Sequence, residues 1–189
     1  MSSQPSPHPL TKAGLRACQE FGIPPAADFN GGTQSGCGLY QINARNGQRA
    51  STAVTYLHPA RKRRNLTVRT GCRATRIVLD AGRAVGVEFL GRGSRVETAR
   101  AEREVILAAG ALQSPRLLLQ SGIGPADQLR RVGVEVRHDL PGVGRGLQDH
   151  MDVYIVHELD GVESYDVYRR FHRKLLAGLQ WLLFRRGHL

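Results

Sequence analysis

The stretch from Glu104 to Gly124, EVILAAGALQSPRLLLQSGIG, constrains this chain more than any other. It opens with an apolar run, VILAA at 105–109, of the kind that fills a strand buried on both faces. Gly110 and Ala111 break the run with two small residues, where backbone can approach a ligand closely. Ser114 and Pro115 then fit an N-cap and a first helical position, Pro supplying a preset φ and no surplus N–H. Leucines 117–119 carry the helix forward and Gly122 to Gly124 stop it. A strand, a tight small-residue turn and a helix form the junction at which α/β folds place nucleotides.

The remainder supplies a frame for that junction. Residues 1–9 are Ser- and Pro-rich and are expected to be a disordered lead-in. Thr11 can cap a helix ending near Gly22, and residues 28–38 have loop composition. Residues 39–43 are expected to enter a hairpin at Asn46-Gly47, and a short helix from Ser51 is expected to stop at Pro59. A block of strands follows at 66–70, 74–80, 84–90 and 95–99, a small meander leading into the run at 105. A helix at 125–132, a short strand at 134–137, a glycine-rich loop at 139–150 and a strand at 151–157 come next. From Val167 onward, Phe171, Leu175, Leu176, Leu179, Leu182 and Leu183 recur at helical spacing opposite several arginines, and Gly187 reads as the stop. Such a helix either faces a core with a basic outer side or lies on an anionic membrane surface.

Charge and cysteine content narrow the classes. Of 27 basic residues only Lys12, Lys62 and Lys174 are lysines, which leaves 24 arginines and a net charge of +11. The arginines are scattered, with no stripe interleaved with aromatics, so no nucleic-acid partner is expected; a duplex-DNA reading would rest on charge alone and show steep salt dependence. Cys18, Cys37 and Cys72 are odd in number and without paired spacing, which argues against a disulfide scaffold and against structural zinc. No run of 18 apolar residues occurs, so no transmembrane segment is expected, and the default setting is reducing and cytoplasmic, with peripheral membrane association left open by the last helix.

The chemistry-bearing motifs are few. GVGRG at 142–146 fails the G-x-G-x-x-G fingerprint because Leu147 takes the last glycine position. Asp149, His150 and Asp152 cluster in sequence, but they suit a hydrogen-bonded loop anchor better than a metal site. Neither a nucleophile elbow nor a P-loop is present.

The opening stretch closely resembles the second signature of the glucose–methanol–choline family of flavin-dependent oxidoreductases, G-A-x-x-S-P-x-L-L-x-x-S-G-I-G. It stands here as Gly110-Ala111, Ser114-Pro115, Leu117-Leu118 and Ser121 to Gly124. The PGVG-x-x-L-x-DH loop ending at His150 and the β segments around Val68 and Val87 agree with it. The branch it resembles is that of bacterial choline and alcohol dehydrogenases. The resemblance implies an α/β fold (an α+β mixture): a partial Rossmann-type FAD-binding domain over 10–150, including the meander, and the start of an antiparallel-sheet substrate domain over 151–189. It implies FAD as cofactor and a small-molecule alcohol as substrate, with hydride passing from the carbinol carbon to flavin N5. The family's backbone contact to adenine matches Ala74, and its turn beside the adenosine half of FAD matches Ala109, Gly110, Ala111 and Ser114. The family's pyrophosphate-binding G-x-G-x-x-G and its catalytic His have no counterpart within these 189 residues, so no residue here is expected to be catalytic or to bind metal. An incomplete enzyme segment is the leading expectation. An inactive remnant, or half of a split enzyme that pairs with a complementary chain, is the alternative.

Overall fold

A computed structural model describes Ser2 and residues 7–185. In chain order its elements are α1 (Pro9–Glu20), β1 (Ala44–Arg45), β2 (Gln48–Arg49), a π-helical turn (Ala53–Leu57) running into α2 (His58–Ala60), β3 (Arg73–Asp80), β4 (Arg83–Leu90), β5 (Val96–Arg100), α3 (Gly110–Gln120), β6 (Ile123–Gly124), α4 (Ala126–Arg131), β7 (His138–Asp139), a 3-10 turn (Tyr165–Arg169) and α5 (Phe171–Phe184). This is the mixed helix and sheet architecture that the sequence implied. The described residues form two units, one of residues up to 67 together with those from 156 onward, the other of Val68–Ile155.

The second unit carries most of the core. β3, β4 and β5 form an antiparallel meander in that order. Ala81 and Gly82 join β3 to β4 with φ of 46° and 80°, the two positive angles a tight hairpin turn demands. β3 is an edge strand, and α3 lies beside it. Ile77, Phe89, Leu117, Leu129 and Val143 are buried among these elements. β6 and β7 pair in parallel across α4, which Gly133 ends at φ 73°.

In the first unit, the His8 imidazole caps α1 by accepting from the Leu10 N–H at 3.2 Å. Asn46 and Gly47 turn the hairpin between β1 and β2 at φ of 51° and 67°. The Trp181 indole donates to the Gly47 carbonyl at 2.8 Å, and the Arg185 guanidinium stacks 4.3 Å over the same ring.

Several expectations are corrected. Residues 66–70, 105–109 and 151–157 form no strand and pair with no strand among the described residues. Their apolar side chains are consequently open to solvent: Ile106 is 79% exposed, Met151 94% and Val156 88%. A strand is a relation between two segments, and the apolar runs supply only one of them. Pro59 does not stop the short helix, which runs on to Ala60. Pro59 falls in the first turn of α2, where its missing N–H has no intrahelical partner to lose. The expected strand at 134–137 is displaced to His138–Asp139. The last helix begins at Phe171, because the backbone at Arg170 is extended (φ −71°, ψ 126°). Its leucine face is exposed rather than core-facing, and Ala177 is the residue it buries. The Gly187 stop lies outside the described residues, as does most of the expected lead-in.

Candidate functional site

The site is built where α3 begins. Ala109 precedes the helix in a bridge-region conformation (φ −88°, ψ 6°), and Gly110 follows at φ 86°. Left-handed backbone at this point favours glycine, since an L side chain there is strained. A Cβ built on Gly110 meets no atom within 4 Å, so the turn is bare on that side. The helix starts five residues earlier than the sequence pattern suggested, and Ser114 is not its N-cap. Instead the Ser114 hydroxyl, inside the helix, accepts from the Ala109 N–H at 3.1 Å. The hydroxyl five residues on thus satisfies the N–H of the N-cap residue, which has no intrahelical acceptor. Pro115 therefore sits within the helix and leaves the Ala111 carbonyl without an intrahelical donor. Ala111 lies on an open cleft, where water can take that role.

Two clefts flank α3. One, of about 490 Å³, lies between α3 and the edge strand β3, lined by Ala74, Thr75, Ala109, Gln113, Arg116 and Gln120 among others. The other, of about 760 Å³, lies between α3 and the glycine-rich loop, and includes Ala111, Ser114, Pro115, Gly142, Gly144 and Gly146. The five residues expected at the site are thus divided. Ala74 and Ala109 come together in the first cleft, Ala111 and Ser114 line the second, and Gly110 is the bare turn joining them.

A β-bulge shapes the first cleft. The register steps from Ala74 opposite Phe89 to Arg76 opposite Glu88, leaving Thr75 as the extra residue, whose hydroxyl donates to the Glu88 carbonyl at 3.2 Å. The cleft is also electropositive. Arg73 and Arg116 line it, and neither has a carboxylate partner among the described residues. Nearby, Arg76 of β3 forks Glu88 of β4 at 2.6 and 3.1 Å, and Arg69, before β3, forks Glu97 of β5 at 2.9 Å. Hydrogen bonds from these guanidinium groups hold both carboxyls below the usual carboxylate range.

Sequence reasoning missed the polar lining of the first cleft (Thr75, Gln113, Arg116 and Gln120) and the role of Ser121. Ser121 follows Leu117 by four residues, a spacing that suits a hydroxyl bonding back into its own helix. Asp149 and His150 are exposed, and the Asp149 carboxylate accepts from the His150 N–H at 2.8 Å, a local loop anchor. Among the described residues no three His, Cys, Asp or Glu groups gather as metal ligands, and no helix is long and apolar enough to cross a membrane.

The chain as a whole is matched by known proteins. The oxygen-dependent choline dehydrogenase of Rhizobium meliloti (strain 1021) is 43% identical over 183 residues, which is 97% of this chain and 33% of that protein. The mitochondrial choline dehydrogenase of Mus musculus is 41% identical over 175 residues, 93% of this chain and 29% of the relative. An FAD-dependent oxidoreductase from Chaetomium thermophilum superposes with a TM-score of 0.83 at 25% identity, over 99% of this chain and 33% of that one. The chain therefore spans about a third of the length of the curated relatives it matches. The model of the GMC oxidoreductase family matches residues 1–152, four-fifths of the chain and the whole of residues 104–124 around Gly110, so this chain belongs to that family.

Proposed function

We propose that these residues form the adenosine side of the FAD site in an oxidoreductase acting on CH–OH donors of the choline or alcohol type. One observation carries the reading: Ala74 on the edge strand and Ala109 at the bare turn share one cleft, next to a glycine whose missing Cβ leaves the approach open. FAD fits these residues. The edge strand offers backbone N–H and C=O groups that can meet a purine edge whatever the side chain. The Cβ-poor turn gives room, and unpaired guanidinium groups suit a phosphate-bearing ligand. When bound, FAD supplies the acceptor for hydride from the carbinol carbon. The part of this chain is to bind and orient the adenosine end. No residue described here is placed to take the hydroxyl proton. In this reading residues 10–150 belong to the FAD-binding region and the substrate domain starts at 151, a division supported by the end of the family match at residue 152.

The 189 residues alone are expected to come off a desalting column colourless, since they contain no G-x-G-x-x-G to hold the pyrophosphate. ADP should still bind weakly, with Kd of about a millimolar. It should shift the amide resonances of Ala74 and Ala109 more than inorganic pyrophosphate, which can reach only the guanidinium groups. A stoichiometric flavin spectrum from the purified chain overturns the view that the segment is incomplete. Equal shifts with pyrophosphate and ADP overturn the adenine site.

A second reading makes the segment an interaction module that pairs with a complementary chain. The exposed apolar residues of 151–156 and Ile106 favour it. Co-expression with a polypeptide carrying the remainder of the family fold should then yield a flavin-bearing complex, and independent elution of the two chains removes this reading.

A further inference from the structure

Among the described residues Ser121 is the only buried polar side chain, 2% exposed, at the end of α3. Its hydroxyl donates to the Leu117 carbonyl at 2.6 Å and accepts from the Ile77 N–H of β3 at 2.8 Å. The first bond is the ordinary return of a helical serine to residue i−4. The second is not local, since it spans 44 residues and takes an outward N–H of the edge strand. A hydroxyl is suited to both tasks because it donates one proton and keeps lone pairs to accept another.

We propose that Ser121 is a positioning residue that pins α3 to β3 and thereby sets the width of the cleft shared by Ala74 and Ala109. The cleft has these two elements as its walls, and Leu117, the residue to which Ser121 bonds, lines it. Ile77 lies three residues from Ala74 on the same strand, with the bulge between them. A helix is stiff, and Ala109 lies about 18 Å along its axis from Ser121. A small rotation about the pinned end therefore becomes a larger displacement of Ala109 at the far end. An alanine at 121 leaves the Ile77 N–H buried without a partner, so the strand edge and helix part or admit water.

This inference rests on the adenine reading above, and the test separates the two. ADP is titrated into the wild-type chain and Ser121→Ala, followed by the amide shifts of Ala74 and Ala109 and by amide exchange at Ile77. Affinity in Ser121→Ala should be about tenfold weaker, the scale of one misplaced hydrogen bond. Exchange at Ile77 should quicken. Ser121→Thr, which keeps the hydroxyl, should recover most of the affinity. Leu129→Ala, in the buried side of α4 away from both clefts, should lower the melting temperature without changing ADP affinity. If Ser121→Ala does not fold, Ser121→Cys takes its place, with a weaker acceptor at nearly the same volume and an affinity between wild type and the tenfold loss. Wild-type affinity in the folded alanine or cysteine variant overturns the positioning role and leaves the adenine site standing. Absence of ADP shifts in wild type overturns both.

Discussion

Two glycines of the same stretch share a backbone conformation and differ in surroundings, which makes them a controlled pair. Gly110 and Gly122 have φ of 86° and 81°. Alanine at either position incurs the left-handed penalty of about 1–2 kcal/mol. Each is offset by about 0.4–1 kcal/mol from the stiffer unfolded chain. These parts cancel between the two variants. At Gly110 the added methyl meets nothing within 4 Å, whereas at Gly122 it would run into the Glu135 carbonyl and the Arg137 side chain. To clear that contact the chain around Glu135 must move, and it is tied to Gly122 by two hydrogen bonds, from the Arg137 and His138 N–H groups to the Gly122 carbonyl at 2.8 and 3.1 Å. At about 1 kcal/mol each, their loss makes Gly122→Ala about 2 kcal/mol more destabilising than Gly110→Ala. In a chain of 189 residues that is a melting-temperature gap of about 4–8 °C. Paired thermal melts by circular dichroism measure it. Ligand binding should invert the order, because the Gly110→Ala methyl occupies the bare side of the turn and weakens ADP, while Gly122→Ala acts away from it. Gly110→Ala melting as low as Gly122→Ala would refute the claim that space at the turn, and not φ alone, sets the need for glycine.

Ser114→Ala removes the acceptor for the Ala109 N–H and should lower stability by about 1 kcal/mol, seen as a lower denaturant midpoint with faster amide exchange at Ala109. For pH, the carboxyls of Glu88 and Glu97 are held below the usual range by hydrogen bonds from Arg76 and Arg69. Their contribution is therefore present above the unfolded value and lost as pH falls through the depressed one. Amide protection in β4 should weaken on acidification below the usual carboxylate range. A Glu88→Gln, Glu97→Gln double variant should flatten that dependence, and an unchanged acid profile would assign it to other groups.

Local conformation was legible in the sequence wherever it is decided locally. Asn46, Gly47, Gly82 and Gly133 take positive φ angles that asparagine and glycine accommodate, while Ala81 adopts φ 46° against the usual left-handed penalty. The runs at 105–109 and 151–157 have strand composition without strand pairing, since pairing depends on segments elsewhere. Pro115 misled in a specific way: proline is a good first helical residue, but Gly110 and the Ser114 hydroxyl stabilise a start five residues earlier. At the site, the small residues could be read from the sequence. Their division between two clefts could not, because it depends on which face of α3 meets β3 and which meets the glycine-rich loop.

That division explains why a stretch so informative about family contains no reactive group. A cleft that presents backbone to its ligand places few demands on the chemistry of the side chains that line it, and many on those that fix the backbone. On the proposed reading, Ala74 and Ala109 would contribute by being small. Gly110 contributes a φ that other residues resist, Ser114 holds the N–H before the helix, Ser121 ties the helix to the strand, and Gly122 lets the chain pass close to Glu135. Four of the positions that the family pattern specifies thus set conformation and not reactivity. The demand falls on φ angles and two hydroxyls, which is why the pattern is recognisable in sequence while the residues that would move a proton are not among it.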